Sequence, residues 1–356
     1  MSIEMQNKKV AIFTLTRKGY SLGKKILNLY NNSKLYTLKK YSDDMNLIYD
    51  EGFKESVKKE FLNSDLLIFI SATGIVVRTI AEFMVSKKTD PAVIAIDDNG
   101  NNVISLLSGH IGGANYFAKQ IADYIKSNPV ITTASDVNGK PSVDMIAIEN
   151  NLILKDFEKA KLITSMFVNE EDVLCICSDK TLSDTIQKKY NLKIIKNNEL
   201  NNSLTKVGKL FITNEEIVEG CDEISSILYI KNLVIGLGCK RDTSKEDIIS
   251  FIKETFKSNN KSLNSIKHIA TVDIKENEIG IIETAKEFCR DLIIVSRDEI
   301  RNIQDRYIGS DFVYKTIGVR SVSEPVAELT SLEGRFLIKK KIKNGITLSV
   351  WEEINE

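Results

Sequence analysis

Short, almost wholly apolar runs recur along this chain, most of them next to a glycine- or hydroxyl-bearing turn and a stretch of helical periodicity. Lys9 to Thr14 leads to a helix over Tyr20 to Tyr30, and an amphipathic helix over about Phe53 to Leu62 precedes the run Asp65 to Ile70. A run this short, apolar on both faces, reads as a buried strand of a parallel sheet. Strands alternating with helices confine the chain to α/β folds. Asp97-Asp98-Asn99-Gly100, between Ala92–Ile96 and Val103–Leu107, reads as the turn of an inserted β-hairpin. The block closes near Pro129-Val130-Ile131-Thr132-Thr133, read as a strand with a polar tip.

From Val137 to Tyr229 the pattern stays α/β but is dense in Lys, Asn, Glu and Ser, with Asn197 to Asn202 an exposed polar loop. Strand, glycine turn and helix restart at Leu233-Val234-Ile235-Gly236-Leu237-Gly238, where Thr243 or Ser244 caps the helix. Ile279 to Cys289 reads as a helix and Leu292 to Val295 as a strand, and Asn344-Gly345 joins Phe336–Ile342 to Ile346–Trp351 in a terminal hairpin. The expected architecture is therefore multi-domain α/β. It comprises a Rossmann-like N-terminal domain with an inserted β-hairpin (1–137), a small α/β middle domain (138–230) and a C-terminal α/β domain (231–356).

Composition removes several function classes. The 356 residues carry 49 basic and 49 acidic side chains, so no global field recruits nucleic acid or an anionic membrane. No apolar run approaches the ~20 residues that span a bilayer, and Met1 to Lys9 lacks a signal-peptide core, which points to a cytoplasmic protein. The five cysteines are scattered, without C-x-x-C spacing, and there are two histidines; free thiols and no protein-held metal are expected. Cys175 and Cys177 alternate along a strand and read as packing residues.

Chemistry concentrates at Ser108-Gly109-His110-Ile111-Gly112-Gly113-Ala114-Asn115, a glycine-rich elbow between the strand Val103–Leu107 and a helix over Tyr116 to Ile125. Gly109, Gly112 and Gly113 permit positive φ and close approach, and the first helix N–H groups lack intrahelical partners and attract negative charge. His110 is the usual neutral-pH proton carrier in such a place, though a hydrogen-bonded structural histidine on a tight turn fits equally well. Two more clusters follow strands of the same block: Ser71-Ala72-Thr73-Gly74-Ile75-Val76-Val77-Arg78, in which Ser71 or Thr73 caps a helix and Arg78 offers a bidentate donor, and Thr132-Thr133-Ala134-Ser135-Asp136. Open α/β sheets bind ligands beyond the carboxyl ends of their strands, so the three clusters are expected to share one pocket. An ordinary capped helix with a surface arginine also accounts for the first of them.

Gly236-Leu237-Gly238-Cys239-Lys240-Arg241 has Arg241 in place of the third glycine of a dinucleotide fingerprint, and suits carboxylate contacts better than a pyrophosphate. With no P-loop either, a nucleotide-binding protein is disfavoured. In Gly318-Val319-Arg320-Ser321-Val322-Ser323-Glu324-Pro325-Val326-Ala327, Ser321 or Ser323 is expected to cap a helix that Glu324 and Pro325 begin.

Taken together, Thr73–Arg78, Thr89-Asp90-Pro91-Ala92-Val93, Leu106–Asn115, Pro129–Asp136, Gly236–Ser244 and Ser321–Ala327 resemble the cobalt-precorrin-5A hydrolase family of the anaerobic cobalamin pathway. The resemblance covers roughly Asn63 to Trp351, is loosest in the middle third, and departs from the family pattern at Ser323 and Pro325. It implies opening of the ring A acetate δ-lactone of a cobalt-bound contracted tetrapyrrole and loss of C20 with its methyl as acetaldehyde, giving cobalt-precorrin-5B. It further implies that cobalt arrives in the substrate and that the protein holds no cofactor of its own. Other pathway enzymes are then expected as transient neighbours. His110, Ser108 and Asp136 are the candidate catalytic groups. Thr73, Gly74, Arg78, Gly109, Gly112, Gly113, Asn115, Thr132, Thr133, Gly236, Gly238, Lys240, Arg241 and Glu324 are the candidate substrate contacts. A non-catalytic corrinoid carrier would use the same glycine turns and carboxylate anchors, and differs in tolerating loss of His110.

Overall fold

The computed structural model describes residues 8–43, 47–49, 51–86, 89–109, 112–195 and 207–354. They fall into two compact units, Met1–Lys140 and Pro141–Glu356. The polar segment Asn197 to Asn202 lies outside the described residues.

The first unit is built on strands β1 (Lys9–Thr14), β2 (Asn32–Thr37), β3 (Leu47–Ile48), β4 (Leu66–Ile70), β5 (Ala92–Ile96), β6 (Asn102–Leu107) and β7 (Asn128–Val130), with helices α1 (Arg17–Leu27), α2 (Phe53–Asn63), α3 (Thr73–Ile80), α4 (Ala114–Ile125) and the short α5 (Ala134–Val137). The sheet order is β3-β2-β1-β4-β5-β6-β7. Strands β1 to β5 are parallel, β6 runs antiparallel to β5 in the hairpin read from the sequence, and β7 is parallel to β6. Period-2 alternation builds two cores. Val10, Ile12, Leu66, Ile68, Ile94 and Val103 face Tyr20, Ile26, Phe117 and Ile121 of α1 and α4. Ala11, Phe13, Leu67, Phe69 and Val93 face Val57, Phe61, Val76 and Ile80 of α2 and α3. This is the Rossmann-like arrangement expected, with the direction of chain growth reversing between β1 and β4.

The second unit holds two further sheets. One has the order β10-β9-β11-β12-β8, from β8 (Ile153–Leu154), β9 (Val173–Cys177), β10 (Lys193–Ile195), β11 (Gly208–Thr213) and β12 (Ser225–Tyr229). It accompanies α6 (Val143–Glu149), α7 (Phe157–Val168) and α8 (Lys180–Tyr190). Cys175 and Cys177 pack in its core; burial pushes the Cys175 thiol far up and that of Cys177 up to about 12, so both behave as small apolar groups. The other sheet has the order β15-β14-β13-β17-β16, from β13 (Leu233–Gly238), β14 (Ile266–Val272), β15 (Leu292–Val295), β16 (Gly334–Lys343) and β17 (Ile346–Glu353). Its helices are α9 (Lys245–Ser258), α10 (Ile279–Glu287), α11 (Arg297–Ile303), α12 (Asp311–Ile317) and α13 (Ser323–Leu329). Ser244 is the residue that caps α9, accepting from Asp247 N. Asn344 and Gly345 both have positive φ, 52° and 81°, as a two-residue hairpin turn of the primed type requires.

A polar joint ties the two sheets of this unit. Asn214, at the end of β11, donates to Glu352 Oε1 of β17 at 2.7 Å and to Asn232 Oδ1 at 3.1 Å, and accepts from Lys261 Nζ at 2.7 Å. Asn214 is 4% exposed and Glu352 9%, so these bonds satisfy groups that water reaches poorly.

Candidate active site

The elbow after β6 is built around backbone that only certain residues tolerate. Ser108 has φ 56°, a left-handed conformation that costs a non-glycine residue roughly 1–2 kcal/mol. Strain of this kind persists where surrounding structure enforces it, and it concentrates at functional sites. Here Ser108 Oγ donates to Asp90 O at 3.1 Å, and the following loop folds back on it: a Cβ on Gly112 would lie 2.5 Å from Ser108 Cβ. Gly113 is the N-cap of α4, with φ 83°. Within this loop His110 and Ile111 lie outside the described residues.

The expected free N–H groups of α4 are partly spoken for. Ala114 N donates to Ser108 O at 3.2 Å and Asn115 N to Gly109 O at 2.9 Å. The loop's own carbonyls have taken the role foreseen for an anion.

Asn115 is the centre of the site. It is 4% exposed; its Oδ1 accepts from Ser105 Oγ at 2.6 Å, and its Nδ2 donates to Thr133 Oγ1 at 3.0 Å and Asp136 Oδ2 at 2.9 Å. Lys119, one turn further along α4, reaches Asp136 Oδ1 at 3.4 Å and is more than half exposed. The elbow cluster and the Thr132–Asp136 cluster are thus brought together, because β6 and β7 are parallel neighbours and end at the same edge. Thr132 and Thr133 follow the strand rather than belonging to it, since β7 stops at Val130, and Thr133 precedes α5. Ser105 and Lys119 were not among the sequence candidates. Two signals pointed to them: Ser105 shares the strand face of Val103, which α4 covers, and Lys119 is four residues beyond Asn115 on one helix face.

Thr73, Gly74 and Arg78 are elsewhere, which overturns the single shared pocket. They follow β4, whose carboxyl end pairs Ile70 with Ile96, while the end of β6 pairs Leu107 with Val93 at the other end of β5. The hairpin reverses β6, so the two clusters sit on opposite edges, roughly 10 Å of strand apart at ~3.3 Å per residue. Neither Ser71 nor Thr73 caps α3; Ala72 holds the N-cap position without a side-chain bond. Arg78 is exposed and folds back on its own helix, 3.4 Å from Gly74 O.

The remaining candidates belong to the second unit. Gly236 and Gly238 lie inside β13 rather than in a turn, and both make room for neighbours. A Cβ on Gly236 would lie 1.8 Å from Ser323 O, and one on Gly238 would lie 2.7 Å from Thr347 Oγ1. Lys240 lies over Gly345 of the terminal hairpin, and Arg241 is exposed. Glu324 is 8% exposed and accepts from Lys340 N at 3.4 Å. Ser321 and Ser323 do not cap α13, whose N-cap is Val322; Ser323 is buried and accepts from Ser349 Oγ.

Three family models match in succession: Cobalamin synthesis G N-terminal over residues 55–136, Cobalamin biosynthesis central region over 141–222, and Cobalamin synthesis G C-terminus over 233–351. A protein of Priestia megaterium named cobalt-precorrin-5A hydrolase is 30% identical over 357 residues, covering 96% of this chain and 94% of its own. The chain belongs to the cobalt-precorrin-5A hydrolase family. A second family member, the cobalt-precorrin-5A hydrolase of Salmonella typhimurium, is 31% identical over 96% of this chain and 97% of its own. A solved structure titled as a putative cobalamin biosynthesis protein G homolog from Sulfolobus solfataricus aligns over 98% of this chain and 99% of its own, at 21% identity and a TM-score of 0.38. Among the described residues of this family member, no helix is long and apolar enough to cross a membrane.

Proposed function

We propose that this chain is a cobalt-precorrin-5A hydrolase and that the elbow formed by Ser108–Asn115 and Asp136 carries its proton transfers. Near-full-length similarity to two proteins of that name supports the activity. The elbow is supported by the carboxylate of Asp136 held between Asn115 and Lys119, with Asn115 N bonded to Gly109 O next to the strained Ser108.

Hydrolysis of the δ-lactone forms a bond from a water oxygen to the acetate carbonyl and breaks the bond from that carbonyl to the ring oxygen, which leaves as the C20 hydroxyl. A carboxylate at the elbow takes the water proton and returns one to the departing oxygen. In this reading Asp136 takes that part; His110, two residues beyond Ser108 in sequence, is the other titratable candidate of the segment. The exposed ammonium of Lys119 is available to the oxyanion or to a substrate carboxylate. In the second step the C20 hydroxyl loses its proton, its oxygen becomes the carbonyl of acetaldehyde, and the bond from C20 to the macrocycle breaks. The electron pair stays on the macrocycle, which then takes up a proton. The cobalt-bound ring is the electron sink and part of the substrate, so the protein's work is positioning and proton transfer.

Incubation of the purified protein with cobalt-precorrin-5A tests the reading, by corrinoid mass and trapped acetaldehyde. Loss of the C20 unit with stoichiometric acetaldehyde is expected. A carrier would bind the corrinoid and release none.

A further inference from the structure

Resting on the reading that the elbow is the reaction site, we infer that Ser105 and Asn115 form a positioning relay that aims the Asp136 carboxylate, and that Asn115 makes no contact with substrate. A primary amide has an acceptor end and a donor end, and in Asn115 both are spent inside the protein. Oδ1 accepts from Ser105 Oγ at 2.6 Å, and the two hydrogens of Nδ2 go to Thr133 Oγ1 and Asp136 Oδ2. Gly109 leaves room for this amide that another residue would take: a Cβ there would stand 2.7 Å from Oδ1 and 3.2 Å from Nδ2. At 4% exposure, with both Nδ2 hydrogens committed, the side chain has no donor left to offer a ligand.

What it does have is a fixed sense. Turned over, Asn115 would set its carbonyl oxygen against a carboxylate oxygen, two acceptors in contact. Ser105, on the face of β6 beneath α4, donates to Oδ1 in the orientation that Asp136 demands. The relay runs from strand β6 through helix α4 to the short helix α5 after β7, three elements that hold the carboxylate against α4 from one side. Lys119 meets its other oxygen at 3.4 Å. Orientation of a general base by a buried partner acts on the rate of bound substrate and leaves its affinity nearly unchanged.

The test is a double-mutant cycle on the full chain, with Ser105→Ala and Asp136→Asn measured singly and together by single-turnover acetaldehyde release, and with Ser105→Thr as the conservative variant. Ser105→Ala is expected to lower kcat about tenfold with KM within about twofold, and Ser105→Thr to restore it, since the hydroxyl returns. In the Asp136→Asn background Ser105→Ala is expected to add nothing, because the group it acts through has gone. An equal loss in both backgrounds, or full turnover in Ser105→Ala, overturns the relay while leaving the elbow reading standing. Wild-type turnover in Asp136→Asn overturns the elbow reading itself, and the relay with it. If circular dichroism shows Ser105→Ala unfolded, Ser105→Cys, which keeps a weak donor of similar size, goes through the same cycle: a loss confined to the Asp136 background supports the relay, and an equal loss in both backgrounds overturns it.

Discussion

Gly236→Ala separates a packing glycine from a binding one. The new Cβ would stand 1.8 Å from Ser323 O, 2.8 Å from Ser323 C and 3.0 Å from Ala327 Cβ, so it meets helix backbone rather than a side chain that could swing away. Carbon contacts are comfortable only near 3.5–4.0 Å, so α13 must retreat from β13 by more than about 1 Å. That helix buries Ser323, Glu324, Pro325, Val326 and Ala327, and its first residue is bonded to Ser349 Oγ at 2.9 Å. Overpacking costs about 1–3 kcal/mol and loss of a buried hydrogen bond about 0.5–1.5 kcal/mol, together about 2–4 kcal/mol. For a unit of this size the corresponding fall in Tm is roughly 5–15 °C. Urea and thermal unfolding followed by circular dichroism measure it, alongside KM for the corrinoid. A variant as stable as wild type to within about 0.5 kcal/mol, with KM raised, would refute the packing argument and return Gly236 to the binding site.

Three other outcomes follow from the same geometry. Asp136→Asn should slow acetaldehyde release by about a hundredfold to ten-thousandfold, the range for a lost general base, with corrinoid affinity by titration little changed; near-normal release would remove the elbow from the chemistry. Arg78→Ala, on the edge opposite the elbow, should leave KM within about twofold of wild type, as an exposed substitution does; a tenfold rise would place substrate at the β1–β4 edge. His268, 5% exposed and bonded through Nε2 to Thr330 Oγ1 at 3.0 Å, is held neutral by burial and by Lys267, below the ordinary histidine range. As pH falls through about 6.5 the unfolded chain takes up this proton before the folded one, so the folded state loses stability. His268→Gln should flatten that acid limb in urea melts below about pH 6.5, and an unchanged slope would show that His268 contributes none of it.

Much of the architecture is legible in the sequence because period and punctuation are local. The apolar runs Leu66–Ile70 and Ala92–Ile96 are buried at every residue, as their composition implies, and the turn at Asn344-Gly345 carries the positive φ that its residue types announce. Caps are legible less often. Ser244 and Thr16 cap their helices, whereas Ser71, Thr73, Ser321 and Ser323 do not, although all are short hydroxyl residues near a helix start. The difference lies in tertiary packing: Ser323 is drawn into the sheet by Ser349, and α3 begins earlier than its apolar periodicity suggests. Strand β14 is hidden because Lys267 and His268 interrupt its apolar run, and their partners Glu353 and Thr330 are distant in sequence.

The site is legible in its parts and not in its grouping, and the reason is directional. Three hydroxyl- and glycine-rich clusters at strand ends look alike along the chain, and the rule that ligands gather beyond carboxyl ends holds only for strands that run the same way. The hairpin at Asp97–Gly100 already carries the contrary information. A two-stranded reversal sends the carboxyl end of β6 back to the level where β5 begins, so Ser108 lands beside Asp90 and Ala92, while Thr73 continues past the far end of β4. β7, parallel to β6, then brings Thr133 and Asp136 to the same edge. The antiparallel insertion therefore builds the elbow site as a unit of its own: β6 supplies Ser105, the turn supplies Ser108 and Gly109, α4 supplies Asn115 and Lys119, and the segment after β7 supplies Asp136. All of these lie within 32 consecutive positions, so the hairpin and the βαβ unit that follows it place the whole candidate proton-transfer apparatus on one edge, apart from the β1–β4 reversal where an open α/β sheet would ordinarily take its ligand.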